Sequence, residues 1–500
     1  MASVEPPAVE PAAEPAPGPS EGAAPGIRDL YRAVWDAARG SVARRHLVIA
    51  AEITLVALWF VLRTRYGVES RPYLAWTVVA AVVALVSPTS GLVLLLATSP
   101  FYEPVSISRA LGPRNILVGI LGIGVILRLA LGGWREIPRS RTLALGAVVA
   151  ALTAVSAIHT LRDFDGVFGP HAVQMWLATI GGAMIVLLVA VWVARTGDVR
   201  PIVAAVIGCA IASVLSLIEL AQPGSISRGS LAWIGLWKDF GARVTGIIPA
   251  PNAVATMLIV PACLGLAATV QLRGRRRVAA IVATVPIAAA AVLTLSRSAI
   301  GGLYVTFVLF VSRLRRRTAW VLLFVGVVVA VVSLPLFIQF RAGVQGVFET
   351  RSPLDWILGA DEARVTAWGA AVRMWADAPL IGHGFLSYKA LADMYGDVRL
   401  GSPHNEVLRL FAEEGLIGGV ALIAFIISLV RELGRRRDWI GTGLLGGAIS
   451  YWFAAMFNNP LLFIQVSAIA FGLLGFGLGR PQTAPVPMSS TPSSGATTAG

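Results

Sequence analysis

Lysine is almost absent from this chain. Of 41 basic residues only Lys238 and Lys389 are lysines; the rest are arginine. Charge of both signs is scarce, with 14% of residues Asp, Glu, Lys or Arg, against about a quarter in soluble proteins. That scarcity excludes a soluble enzyme of this length. Cysteine is scarcer still. Cys209 and Cys263 both fall in apolar runs, so they read as small buried hydrophobes and not as a disulfide or metal pair. No DxD-type acidic cluster occurs in the longer hydrophilic segments, so neither a metal nor another cofactor is expected.

What is present is apolar. The chain is 56% hydrophobic, with mean hydropathy +0.75. Runs such as 172–194, 249–270, 319–336 and 460–478 carry almost no charge over membrane-spanning length. Backbone groups in lipid must bond within their own segment, and these runs lack the alternation of barrel strands. The reading is an all-α polytopic transmembrane helix bundle of about 12–14 spans. They lie near 46–62, 72–86, 89–100, 115–131, 143–160, 172–194, 201–221, 249–270, 278–294, 298–312, 319–336, 405–430, 439–456 and 460–478. Ser87-Pro-Thr-Ser-Gly91 interrupts 72–100, which could be two short spans or one kinked helix.

Residues 1–26 and 481–500 are rich in Pro, Ala, Ser, Thr or Glu without apolar periodicity and read as disordered tails, the first with no cleavable signal. Residues 27–45 combine Leu30, Val34, Trp35 and Ala38 at helical spacing with several arginines, which predicts an amphipathic helix on the cytoplasmic membrane surface. The bundle then runs over 46–336, a long extracytoplasmic loop with short helices over 337–404, and C-terminal spans over 405–480. Within the loop, Asp361–Asp377 is predicted helical from Ala363, Ala367, Ala370, Ala371, Met374 and Trp375 on one face.

The net charge of +14 invites a nucleic-acid reading, but the arginines sit in short loops between apolar runs, as the positive-inside rule produces. With the N-terminus inside, strict alternation puts Arg135/Arg139/Arg141, Arg195/Arg200, Arg273–Arg277, Arg313–Arg317 and Arg431–Arg437 together on the cytoplasmic side; Arg63, Arg65 and Arg71 are the exception. This predicts a multi-pass membrane protein with both termini cytoplasmic, partnered by the bilayer and not by nucleic acid.

Topology does not explain Arg243 and Arg297, which fall on the outer side. Arg243 precedes a span and Arg297 sits in the break Thr294-Leu-Ser-Arg-Ser298. Such arginines snorkel to the interface, or they pair, or they line a cavity. His404, after Pro403 at the mouth of a span, is either a polar anchor or a general base near neutral pH. Two fixed guanidinium groups and one base on the outer face suit transfer from a pyrophosphate-linked donor. Guanidinium holds phosphate oxygens in bidentate pairs and stabilises charge on the leaving group.

The order of several short motifs over roughly 240–430 sharpens this. They are Arg243-Val-Thr-Gly-Ile-Ile-Pro-Ala-Pro-Asn252, Leu295-Ser-Arg-Ser298, Arg364-Val-Thr-Ala-Trp368, Ala378-Pro-Leu-Ile-Gly-His-Gly384, His404-Asn405 and Glu413-Glu-Gly-Leu-Ile-Gly418. This half of the chain resembles the O-antigen ligase and O-antigen polymerase superfamily, bacterial membrane glycosyltransferases of GT-C type. The resemblance implies a GT-C-like bundle that moves a glycan from a polyprenyl pyrophosphate to an acceptor hydroxyl on a glycan, lipid or protein. It implies metal-independent, inverting transfer at the outer face. Carried over by motif, Arg243 and Arg297 would bind the pyrophosphate and His404 would activate the acceptor. Arg364, Glu413, Asn405 and Asn252 would support them, and His383, in a slot usually small and apolar, is a further candidate. Two rival readings are a flippase for lipid-linked glycans and a peptidoglycan polymerase working through an outer aspartate such as Asp355, Asp361 or Asp377.

Overall fold

The computed structural model describes residues 42–66, 70–101, 113–130, 139–163, 172–222, 225, 250–314, 316–328, 362–396, 398 and 400–479. All regular elements among them are helices. In chain order they are α1 Val42–Tyr66, α2 Arg71–Val86, α3 Pro88–Thr98, α4 Pro113–Ala130, α5 Arg141–Asp163, α6 Ala172–Leu177, α7 Ile180–Arg195, α8 Arg200–Ala221, α9 Pro251–Gln271, α10 Gly274–Leu293 and α11 Arg297–Ser312. After α12 (316–328) come α13 Glu362–Asp377, α14 Ser387–Leu391, α15 Glu406–Gly434, α16 Trp439–Ala455 and α17 Ile464–Gly479. The tails at 1–26 and 481–500 and the expected surface helix lie outside the described residues, except that 42–45 belong to the start of α1.

Among the described residues six helices are long and apolar enough to cross a membrane unaided: α1, α5, α8, α9, α10 and α15. Six shorter apolar helices pack among them. Large side chains such as Leu47, Val78, Ile126, Val155 and Val282 stay more than 60% exposed on the outside, as lipid-facing positions would. Small residues carry the interior. A Cβ on Gly475 of α17 would lie 2.7 Å from the Ala190 methyl of α7, and one on Gly443 of α16 would lie 2.7 Å from the Cys263 carbonyl of α9. With little hydrophobic drive between helices in lipid, such close backbone approach is what dispersion can use. Cys209 and Cys263 are free and buried.

Side-chain bonds fix which helix ends lie together. Trp76 donates to the Leu55 carbonyl and Trp59 to the Tyr73 hydroxyl, so α2 runs back along α1. Ser140 and Thr142 donate to Glu432, joining the start of α5 to the end of α15. Arg436 reaches the Gly477 carbonyl at the end of α17, and Ile440 N–H reaches Gln271 at the end of α9. Those bonds gather one end of the bundle, which carries Arg139, Arg141, Arg273, Arg275–Arg277 and Arg431–Arg437; we call it the basic end. The opposite end holds the starts of α11 and α15, the close of α5 and the segment 362–405; we call it the motif end.

Residues 72–100 form two helices, the first of the two alternatives, while the runs 172–194 and 405–430 need correction. Ser87 ends one and caps the next, and a Cβ on Gly91 would fall 2.6 Å from the Ala84 methyl. Positions seven apart in one helix would be about 10 Å apart, so the chain doubles back. The run 172–194 is broken at Ala178–Thr179 into α6 and α7, because Gly182 lets the backbone approach the Leu177 carbonyl to 2.1 Å from an added Cβ. The span at 405–430 begins as α15 but leaves helical geometry at Gly415, with φ 65° and ψ −162°.

Candidate functional site

The motif end is built around that break. A helix interrupted at Gly415 leaves carbonyls and N–H groups unpaired, costly inside a bundle. The loop 379–384 supplies them. Leu416 N–H donates to the Pro379 carbonyl at 2.8 Å and Ile417 N–H to Leu380 at 3.2 Å. In return His383 N–H donates to Ala412 at 3.3 Å and Gly384 N–H to Glu413 at 2.8 Å. The motifs Ala378–Gly384 and Glu413–Gly418 are therefore two halves of one backbone splice.

The same helix buries a charged triad. Arg409 Nη1 donates to Glu413 Oε2 at 2.6 Å, and its Nε and Nη2 donate to Glu406 Oε1. The spacing i, i+3 and i, i+4 puts both carboxylates beside the guanidinium on one face. Glu406, Arg409 and Glu413 are at most 1% exposed. Glu406 Oε2 also accepts from Leu461 N–H at 3.2 Å, tying α15 to the α16–α17 connection. Leu386 and Tyr388, at the start of α14, lie beside the Glu413 carboxyl.

Segment 362–405 folds over the first turns of α15. Ala371, Met374, Tyr388, Ala392 and Ala412 form its apolar centre. The Tyr388 hydroxyl donates to the Ala367 carbonyl at 2.8 Å, and Trp368 Nε1 to the Pro403 carbonyl at 2.7 Å. Burial raises the Tyr388 phenol, with the charges of Asp393 and Glu413 adding to the effect. Thr160, at the close of α5, donates to the Phe385 carbonyl at 2.9 Å and holds the segment to the first half of the bundle.

His404 is half-buried, between the anchored Pro403 and Asn405. Asn405 Oδ1 accepts from Val407 and Leu408 N–H at 3.1 and 3.0 Å, so its side chain works as the N-cap of α15. His404 itself has φ 48°. Only two other non-glycine residues among those described have positive φ: Leu295 at 54° and Leu386 at 62°. Leu295 stands two residues before Arg297 at the start of α11, and Leu386 stands two residues after Gly384, whose N–H donates to the Glu413 carbonyl. All three strained positions thus lie at the motif end, beside the residues singled out for chemistry. Left-handed backbone costs about 1–3 kcal/mol at such residues and persists where surrounding structure fixes it, characteristically at functional sites.

Arg297 is half-buried at the first position of α11, which packs on α16 and α9. Asn252, second in α9, is half-buried at the same end. Arg364 lies one turn before Trp368 on the same face of α13, the face that reaches Pro403 beside His404. His383 turns elsewhere. Its Nε2 lies 2.9 Å from the Met374 carbonyl and 3.6 Å from Asp377, so it clamps the end of α13. Arg243, Asp355 and Asp361 lie outside the described residues. The structure directly links Asn405 and Glu413, through α15 and the triad; Arg297 shares their end on a different helix.

Glu406 and Arg409 are absent from the sequence reading. Their signal was there: Glu406, Arg409 and Glu413 at helical spacing inside a predicted span, where charge is costly unless paired. At the α16–α17 connection, Asn459 is 2% exposed, and among the described residues neither its amide nor the buried Tyr451 hydroxyl has a hydrogen-bond partner. Among the described residues no three His, Cys, Asp or Glu side chains gather as a metal site.

No curated protein matches the chain. Residues 279–423, from within α10 to past the Gly415 break, match the family model described as O-Antigen ligase. That stretch contains Arg297, all three strained residues, the triad and both halves of the splice, and over those residues this multi-helix membrane protein is similar to O-antigen ligases.

Proposed function

We propose that this protein transfers a glycan from a polyprenyl-pyrophosphate donor to an acceptor hydroxyl at the outer face of the bacterial cytoplasmic membrane. The similarity of residues 279–423 to O-antigen ligases supports a glycan-transfer role in the membrane; the donor, the face and the residue roles are our reading. The observation that carries it is that Leu295, Leu386 and His404, all in left-handed backbone, lie at the same end of the bundle as Arg297 and the α15 triad.

In this reading the donor lipid enters from the bilayer with its pyrophosphate toward Arg297, joined by Arg243. Guanidinium neutralises the diphosphate that departs and does so bidentately. His404 takes the proton of the acceptor hydroxyl as the new glycosidic bond forms. Attack on the face opposite the departing diphosphate inverts the anomeric carbon, with arginine in the place of a divalent cation. Arg364 is positioned to orient the acceptor beside His404. Glu413, Asn405 and His383 act through the backbone they fix. The unpartnered Asn459 amide and Tyr451 hydroxyl offer bonding capacity to sugar hydroxyls at this end. Both termini would then be cytoplasmic, since α1 starts and α17 finishes at the basic end.

The reading is tested by purifying the protein in mild detergent and identifying bound lipid by mass spectrometry. A polyprenyl-pyrophosphate glycan retained by the native protein and lost from Arg297→Ala is expected. Retention of ordinary phospholipid alone in both would contradict the proposal.

A further inference from the structure

At the basic end, remote from the motif end, the starts of α5 and its preceding residues meet the last turns of α15 around a cavity of about 470 Å³. Arg139, Arg141, Arg431 and Arg435 line it, and all four are exposed. None of these guanidinium groups has a hydrogen-bond or ion-pair partner among the described residues. Four unpaired cations facing one space repel one another, so the arrangement favours an anion between them.

The floor is built rather than incidental. Glu432 lines the same cavity and offsets one of the four cations without pairing with any of them, its Oε2 accepting from the hydroxyls of Ser140 and Thr142, both at 2.7 Å, so the site keeps a net positive charge. Ser140 in turn accepts from Leu143 N–H at 3.3 Å, capping α5. The cavity therefore also receives the positive end of a 23-residue helix. Its remaining wall is Ser428 and three apolar side chains. Leu145, Ala424 and Ile427 continue the cavity along the two helices, and Ile427 is 44% exposed on the outer surface.

A site with cations at its mouth and an apolar rail running into the hydrocarbon fits an amphiphile. A soluble phosphate would use the mouth and leave the rail in water. We propose that this cavity binds the phosphodiester headgroup of an anionic membrane phospholipid, with its acyl chains along Leu145, Ala424 and Ile427. Basic clusters near the membrane surface attract anionic lipid. The inference stands apart from the glycan-transfer reading, since it uses none of the same residues and the opposite end of the bundle. Its consequence is structural. A lipid here would bridge α5 to α15, the helix whose other end carries the triad.

The test uses full-length protein in neutral detergent, with thermal unfolding and native mass spectrometry as readouts. Phosphatidylglycerol should raise the unfolding midpoint and add discrete adducts, whereas phosphatidylcholine and inorganic phosphate should do neither. Arg139→Gln with Arg435→Gln should weaken the phosphatidylglycerol effect by roughly tenfold or more while leaving the midpoint without lipid unchanged. Should the double variant unfold early, Ile427→Asp provides the second test, and it too should lose the lipid response. An equal response in the variants, or an equal response to inorganic phosphate or phosphatidylcholine, would overturn the proposal.

Discussion

Gly415 and Leu380 meet backbone to backbone: a Cβ on Gly415 would lie 2.3 Å from the Leu380 carbonyl carbon. Real side chains never come so close, and Gly415 also holds φ 65°. The glycine therefore satisfies two demands at once, left-handed geometry and room for a second strand of backbone.

Gly415→Ala should for that reason cost about 3 kcal/mol or more, from clash and backbone strain together. Gly197 is the control. Its φ is 75°, but nothing lies within 4 Å of an added Cβ, so Gly197→Ala should cost only about 1–2 kcal/mol. Unfolding midpoints in detergent should separate the two by several degrees. Equal shifts would mean the splice carries no strain of its own.

Removing the cation of the triad should be worse than removing the triad. Arg409→Met leaves two buried carboxylates, Glu406 and Glu413, unpaired, at a cost of about 3–5 kcal/mol. Combining it with Glu406→Gln and Glu413→Gln removes the orphaned charge and should recover most of that loss. Additive destabilisation in the triple variant would show that the ion pairs themselves hold this end together.

The residues assigned to chemistry should behave differently. His404→Ala is expected to leave the unfolding midpoint within a degree or two and to lower transfer by about 10²–10⁴-fold, the usual contribution of a general base. Arg297→Lys should rescue Arg297→Ala poorly, because a point charge makes no bidentate pair. Normal transfer by the lysine variant would remove the clamp from the account.

Tyr395 reports on segment 362–405. Its hydroxyl donates to Asp377 Oδ2 at 2.5 Å. That hydrogen bond, then burial, then the Asp377 charge push its phenol up to about 12. The folded value exceeds the unfolded value of about 10, so the clasp is intact below about pH 10 and lost as pH rises through 12. Ultraviolet titration of phenolate should lose one late transition in Tyr395→Phe; an unchanged profile would show that the bond does not form.

Much of this was legible from residues alone. The apolar runs located the spans because hydrocarbon thickness demands length without charge. Ser87-Pro88 marked a break, since serine caps a helix and proline is favoured at its first position. The breaks at Gly415 and at Ala178–Thr179 were not legible. A glycine within an apolar run is compatible with a straight helix, and only the approach of Leu380 or Leu177 reveals its purpose. The role of His383 was equally hidden, because the Met374 carbonyl that it meets is backbone and leaves no trace in composition. Glu413 was singled out as one motif residue, while its partners Glu406 and Arg409 passed as part of the next span. Charge spacing within the span was the available clue.

Topology is checked by single cysteines at Ser402, at the motif end, and Ser312, at the basic end. An impermeant thiol reagent applied to intact cells should modify the first alone. Modification of Ser312→Cys alone would invert the map and place His404 on the cytoplasmic side.

The central claim is tested most directly by transfer with purified components: full-length protein, a polyprenyl-pyrophosphate oligosaccharide and a hydroxyl acceptor, with the product's anomeric configuration read by NMR. The account predicts an inverted glycosidic bond and free polyprenyl diphosphate, both lost in His404→Ala and Arg297→Ala. Undiminished product from those variants, or retained anomeric configuration, would contradict it.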